Sequence, residues 1–379
     1  MIRDALFLAI SWLRSTRLRT TVLVIGLALA LGLPAFVQQA AATLEDALLH
    51  RAESSPLLIG REGNEYDLVM NALYFRGRLR TPAPASLLDR VLEADYGVTV
   101  PVHVRHSAHG VPVIGTGPEY YGARGLRMAA GRSPALLGEV VVGAAVAAER
   151  GIEPGDLMRS DLTDLYDLSA GGALGLEVVG VLAAADSPDD AVIFGSLETA
   201  WALDGALHGH VAVTDGSEPG LVEASPGIFL FEQIDASNRD SFHLHGTPDE
   251  LPVGAVLVFP RDRAAHDIAL GDFAVDPAWQ AVRPRVVVGA ILDIVLRLRD
   301  AMTAGFGLLA VSTAALSAVI LLLGLRLRAP ELTLMRRIGA APGTLAAVVV
   351  TEVVLVLGAA GALAVVFVHG GLLLLKGSL

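Results

Sequence analysis

Three apolar runs constrain what this chain can become more than any other feature. Thr20–Val37 (TTVLVIGLALALGLPAFV) and Ala301–Leu325 (AMTAGFGLLAVSTAALSAVILLLGL) contain no charged residue, and Thr344–Val368 (TLAAVVVTEVVLVLGAAGALAVVFV) contains only Glu352. A helix crosses the hydrocarbon core of a bilayer in about 20 apolar residues, and it satisfies its own backbone hydrogen bonds there. The runs therefore read as membrane spans over 20–39, 301–325 and 344–368, the last ending at His369-Gly370-Gly371. The first has the look of a signal peptide. Gln38-Gln39-Ala40, however, continues into a helical pattern rather than a loop, which favours an uncleaved span. The stretch 344–375 is too short for two crossings and a turn.

Short-loop arginines set the orientation. Residues 1–19 hold Arg3, Arg14, Arg17 and Arg19 against Asp4, and 326–343 hold Arg326, Arg328, Arg336 and Arg337 against Glu331, a net +3 in each. Both segments are expected in the cytoplasm. Residues 20–325 carry 19 Arg and 37 Asp and Glu, a net −18, and the bulk of them, 40–300, forms an acidic extracytoplasmic domain. The tail 369–379 falls on that same side. A total charge of −12 excludes the basic footprint of a nucleic-acid binder. A hydrophobic content of 53% is too high for an ordinary soluble enzyme, and zero cysteines exclude disulfides, thiolate catalysis and cysteine-ligated metal.

The outer domain is long enough for two subdomains with their own cores. Residues 38–54 have helical periodicity and extend the first span as a stalk, and Ala290–Asp300 (AILDIVLRLRD) leads into the second as another. Between them the pattern is mixed. Ser86–Asp95 reads as an amphipathic helix. Val98–Val104, Val111–Ile114, Glu139–Val142, Leu176–Ala184 and Ala191–Phe194 read as strands, and Ala144–Arg150 as a short helix. Asp186, Asp189 and Asp190 read as a turn, and 203–250 as an open insertion. The fold class is thus an α+β membrane protein with transmembrane helices, stalk extensions and a large mixed α/β extracytoplasmic domain.

Three sets of residues could carry function. In APELTLMRRIGAAPG (Ala329–Gly343), Pro330 and Glu331 suit a helix start, Leu332, Met335 and Ile338 make an apolar stripe, and Pro342-Gly343 stops the helix. Such a helix on the arginine-rich side docks a cytoplasmic partner or lies passively at the interface. Glu352, an ionisable group inside a span, either contacts a neighbouring helix or snorkels to the headgroups. The pairs His208-Gly-His210 and His243-Leu-His245 are each a half-site for zinc or copper if strand-borne, or else surface-loop histidines. No G-x-S-x-G, HExxH or Walker A motif is present, so catalytic residues are not expected and ATP would not be hydrolysed by a Walker A route.

Four stretches together resemble the MacB/FtsX-like (type VII) ABC transporter permeases: Arg17-Leu-Arg19 before the first span, GRSPALLGEVVVGAAVAAERGIEPGDLM (Gly131–Met158), LEVVGVLAAADSPDDAVIFGSLETAW (Leu176–Trp201) and PELTLMRRIGAAPGTLAAVVVTE (Pro330–Glu352). The resemblance implies an outer domain of MacB periplasmic-core type in the bacterial inner membrane, with the large domain in the periplasm. It implies a non-catalytic permease subunit, homodimeric or heterodimeric with a second permease, that binds no cofactor itself. ATP and magnesium would be held by a separate cytoplasmic ABC ATPase, whose closure is passed by mechanotransmission to the outer domain. The task would be export or extraction of a lipoprotein, peptide or similar substrate, with a periplasmic adaptor or lipoprotein as a further partner. In this mapping Glu331, Leu332, Met335, Arg336, Arg337 and Gly339 couple to the ATPase, and Leu44, Leu48, Leu292 and Val295 lie on the stalks. The sequence departs from the family in one respect: the fourth family span is missing after Gly371. The alternatives are a membrane-anchored periplasmic scaffold or sensor without an ATPase, and a zinc- or copper-binding component of a metal-transport system using His208, His210, His243 and His245.

Overall fold

A computed structural model describes residues 2–161, 173–209, 233–235, 237–244 and 247–376. The chain opens with α1 (Ile2–Ser15) and the long α2 (Arg17–Glu53). It continues through β1 (Leu57–Arg61), α3 (Glu65–Tyr74), β2 (Ala83–Pro84), α4 (Ser86–Ala94), β3 (Gly97–Ala108), β4 (Val111–Thr116), α5 (Glu119–Ala123), β5 (Met128–Gly131), β6 (Glu139–Val142) and α6 (Ala144–Arg150). Then come β7 (Leu157–Arg159), β8 (Gly175–Leu182), β9 (Ile193–Ser196), α7 (Leu197–Leu203), β10 (Leu207–His208), β11 (His243–Leu244), β12 (Pro252–Val253), β13 (Ala255–Pro260), α8 (Arg263–Ala274) and β14 (Trp279–Val282). Three helices close the chain: α9 (Pro284–Leu327), α10 (Ala329–Arg337) and α11 (Pro342–Lys376). These elements form two units, a helical one of residues 1–46 and 291–379 and a mixed α/β one of 47–290.

In the helical unit α2, α9 and α11 are long and apolar enough to cross a membrane. They run past the apolar stretches themselves: α2 continues to Glu53 and α9 begins at Pro284. Helix α11 also passes through His369-Gly370-Gly371, where the sequence suggested an end. A helical glycine costs only about 1 kcal/mol, and the leucines at 372–375 continue the apolar face. Small residues let α2 and α11 approach closely: Ala28, Ala360 and Ala364 are buried together, and Phe36 meets Phe367 edge-on at 5.9 Å. The segment 1–19, expected only as a cytoplasmic N-terminus, contains α1. Its Ala5, Ala9 and Trp12 recur at helical spacing and pack on Val348 and Leu355 of α11, while Phe7 on the other side is exposed.

The α/β unit is built on one sheet with strand order β14-β1-β13-β3-β4-β9-β6-β8-β5, with β7 pairing β8. Most neighbours are antiparallel, but β4–β9 and β6–β8 are parallel. Strand β6, with the sequence EVVV, is buried at every position, as expected of β-branched residues in a strand covered on both faces. The two halves of the sheet carry separate cores. Leu57, Ile59, Val256 and Val258 pack with Leu87, Val91 and Phe273 of α4 and α8. Val140, Val142, Leu176, Val178 and Ile193 pack with Val146 of α6.

One ion pair pins the second half. Glu139 at the start of β6 is buried and accepts from both terminal nitrogens of Arg132 at 2.6 Å, and from the backbone N–H groups of Ala135 and Leu136. The Arg132 hydrogen bonds, working against burial and helped by those N–H groups, hold the Glu139 carboxyl at about 2, below its ordinary 4.5. A depressed carboxyl stabilises the folded state above its unfolded pKa, and that contribution fades as the pH falls through the folded value. Glu139→Gln is therefore expected to lower the thermal midpoint of the α/β unit at neutral pH. The gap to wild type should narrow from about pH 4.5 downward and close near pH 2 in unfolding scans of the detergent-solubilised chain.

Candidate functional site

Helix α10 starts with Pro330 and Glu331 in its first turn and ends with Arg336 and Arg337, an arrangement that suits the helix dipole at both ends. Gly339 closes it with a positive φ of 102°, a conformation in which a side chain would be strained. Ala340 N–H then reaches the Met335 carbonyl (3.0 Å), and Gly339 N–H the Arg336 carbonyl (3.2 Å). Glu331, Arg336, Arg337 and Gly339 are exposed, and Leu332 and Met335 are half-buried. The apolar stripe read from the sequence divides here. Ile338 lies past the last helical turn and is exposed, as is Leu334. Among the described residues, Glu331, Arg336 and Arg337 form no ion pair.

The base of α10 is anchored by charge. Glu352 of α11 is 3% exposed and accepts from Arg328 Nη1 at 2.7 Å and Arg19 Nη2 at 3.0 Å. Arg328 is the residue between α9 and α10, and its guanidinium lies 4.4 Å from the Trp12 ring centroid. One carboxylate thus joins α2, the α9–α10 junction and α11, and α1 is joined through Trp12. Two arginines and one glutamate leave the group with one net positive charge. Arg19 lies over Gly324, where a Cβ would meet the guanidinium and make it shift.

Helix α2 carries a second buried arginine, inside the α/β unit. Arg51 grips Asp189 with Nη1–Oδ2 at 2.6 Å and Nη2–Oδ1 at 2.8 Å, while its Nε donates to the Leu73 carbonyl. Tyr120 and Ser187 donate to the same carboxylate at 2.6 and 2.9 Å. Burial alone would raise the Asp189 carboxyl, but the charge and hydrogen bonds of Arg51, with those of Tyr120 and Ser187, bring it below the ordinary carboxylate range. The SPDD turn expected from sequence is a 3-10 turn with a capping box between Ser187 and Asp190, and it also presents Asp189 to Arg51. Nothing in the local sequence distinguishes that aspartate from its neighbours.

A third cluster went unnoticed in sequence. His103 and His106 of β3 both donate Nε2–H to Asp204, at 2.9 and 2.7 Å. Three residues apart on a regular strand they would face opposite sides. The β3–β4 register shifts between Val104 and His106, so Arg105 is an extra, bulged residue that returns both imidazoles to one side. Burial would raise the Asp204 carboxyl, but the two imidazoles hold it well below the usual range.

Of the histidine pairs, the backbone register of β10 and β11 places His208 opposite His243. His210 and His245 lie outside the described residues. Among the described residues, no group of three or more His, Asp or Glu is arranged to hold a metal ion. Leu44, Leu48 and Val295 are half-buried and Leu292 is buried.

No protein-family profile matches the chain, and no curated protein matches it. Among solved structures, the periplasmic region of MacB from Actinobacillus actinomycetemcomitans is similar at 12% identity and a TM-score of 0.37, over 64% of this chain and 97% of that one. The extracellular domain of the noncanonic ABC-type transporter YknZ from Gram-positive bacteria is similar at 10% identity and a TM-score of 0.33, over 60% of this chain and 98% of that one.

The Glu352 group yields a ranked expectation. Glu352→Gln leaves the buried Arg328 and the half-buried Arg19 without a counter-charge and should destabilise the helical unit most, by about 3 kcal/mol or more. Arg328→Met should cost more than Arg19→Met, because the Arg328 side chain is 10% exposed and that of Arg19 is 24%. Thermal unfolding in detergent reads the order, and equal midpoints for all three variants would contradict it.

Proposed function

We propose that this chain is the membrane subunit of an ABC-type transporter in a bacterial inner membrane, working with a separate cytoplasmic ATPase. The observation that carries the reading is the state of α10. It is a capped helix between two membrane-length helices, with Glu331, Arg336 and Arg337 exposed and without an ion pair among the described residues, Leu334 and Ile338 exposed, and its base tied by Glu352 to α2. A helix that only rested at a bilayer surface would also carry charge, but it would not need the buried anchor at its base. The ordered motifs at 131–158, 176–201 and 330–352 support the same reading.

In this reading the ATPase binds the exposed Glu331, Arg336 and Arg337 of α10. When it moves, the displacement enters at α10 and passes through Arg328 and Glu352 to Arg19 of α2. The same helix carries Arg51 into the α/β unit, where the Asp189 pair resists slippage between the helix and the domain around it. ATP and magnesium are held by the ATPase, a second permease copy or paralogue completes the pair, and the substrate is of the lipoprotein or peptide class.

The test is co-purification. The wild-type chain expressed in its host should recover an ABC-type ATPase, and Arg336→Glu with Arg337→Glu should lose it while the permease still accumulates in the membrane. Unchanged recovery of the ATPase, or none with the wild type, contradicts the reading and favours an anchored scaffold.

A further inference from the structure

The α/β unit contains a basic cleft in an otherwise acidic chain. Residues 20–325 hold 37 acidic residues against 19 arginines, yet Arg76, Arg78 and Arg80 fall within five positions with no acid among them. Arg78, Arg80 and Pro82 of the α3–β2 loop form one wall of a cavity of about 310 Å³, and His103, Arg105 and Gly254 lie on the other. That volume lies at the small end of ordinary ligand sites. No acidic residue lines it among the described residues.

The cleft is built into the fold at several points. Asn71, buried in α3, donates to the Gly77 carbonyl at 3.0 Å and the Val104 carbonyl at 3.3 Å, so it fastens the arginine loop to β3. The bulge that brings both histidines to Asp204 also makes Arg105 the extra residue, and its side chain is half-exposed with Nε 3.5 Å from Asp204. Arg78 and Arg80 are exposed and form no ion pair among the described residues. His103 is 2% exposed, and its Nε2 is taken by Asp204, but its Nδ1 is buried without a hydrogen-bond partner. With Nε2–H donating to Asp204, that Nδ1 is an unused acceptor on a lining residue, which a hydroxyl of a bound ligand could satisfy.

Three guanidiniums against the single carboxylate of Asp204 leave a surplus of two positive charges. Guanidinium forks match tetrahedral oxyanions, and a dianion balances that surplus where a monocarboxylate does not. We propose that the cleft between the 76–82 loop and the bulge of β3 binds an anion of the phosphate class, held by Arg78, Arg80 and Arg105 with His103 at its base. The proposal is independent of the ATPase reading, since it concerns residues of the α/β unit alone. The phosphate could belong to a free or small-molecule phosphate or to a lipid headgroup.

Titration calorimetry of the full chain in detergent with inorganic phosphate, and flotation with phosphatidic acid or phosphatidylcholine vesicles, separate the two sources. Saturable phosphate binding with a Kd of about 1 mM or tighter points to a free phosphate. Binding to phosphatidic acid vesicles alone points to a headgroup. In either case Arg78→Gln with Arg80→Gln should weaken binding by about tenfold or more, and Arg61→Gln, on an exposed arginine elsewhere, should leave it unchanged. Because Arg78 and Arg80 are exposed, the double variant should keep the wild-type unfolding midpoint. No saturable binding of either probe overturns the proposal. So does equal affinity in the double variant, or succinate binding more tightly than phosphate.

Discussion

The Glu352 carboxylate is the interaction on which the helical unit depends. A buried charge without a partner is far more costly than a paired one, so a glutamate at this depth dictates its surroundings. Two arginines from separate parts of the unit reach it, and one of them, Arg19, lies over Gly324. The other comes from the residue at which α9 ends and α10 begins, backed by the Trp12 ring. The position of α10 follows from this, because the residue that precedes it, Arg328, is held by the same carboxylate that holds α2.

Helix α2 repeats the device in the α/β unit. Arg51 and Asp189 form a bidentate pair, and Tyr120 and Ser187 fill the remaining acceptor sites. Apolar residues of similar volume could pack such positions as stably. Directional pairs do something more, since they fix how a helix is seated against its neighbours. In the account proposed above, that registry lets one helix receive a displacement at Arg19 and deliver it at Arg51.

The parts of this molecule that follow from periodicity were legible in sequence. The three apolar helices, the stalk-like continuation of α2, the helix at 86–94, the strand at 139–142 and the helix at 144–150 all announce themselves through spacing and turn residues. What could not be read depends on tertiary approach. The packing of α1 rests on small residues meeting α11. The role of Asp189 rests on an arginine 138 positions away. The pairing of His103 with His106 was hidden by a bulge, because period-2 reasoning places them on opposite faces. For Glu352 the sequence posed the choice between a helix contact and a headgroup contact, and only the arrangement of helices supplies Arg19 and Arg328. The stripe on α10 was partly misread, since Gly339 ends the helix before Ile338 can join the covered face.

The function proposed above requires α10 to face the cytoplasm and the α/β unit to face the other side of the membrane. The absence of native cysteine makes this directly measurable. Single cysteines at the exposed positions Gly63 and Thr333, Gly63→Cys and Thr333→Cys, would be labelled with a membrane-impermeant maleimide in cells whose inner membrane is intact. The account predicts labelling at 63 in intact cells and at 333 only after permeabilisation. Labelling of both positions before permeabilisation, or of 333 alone, would contradict it.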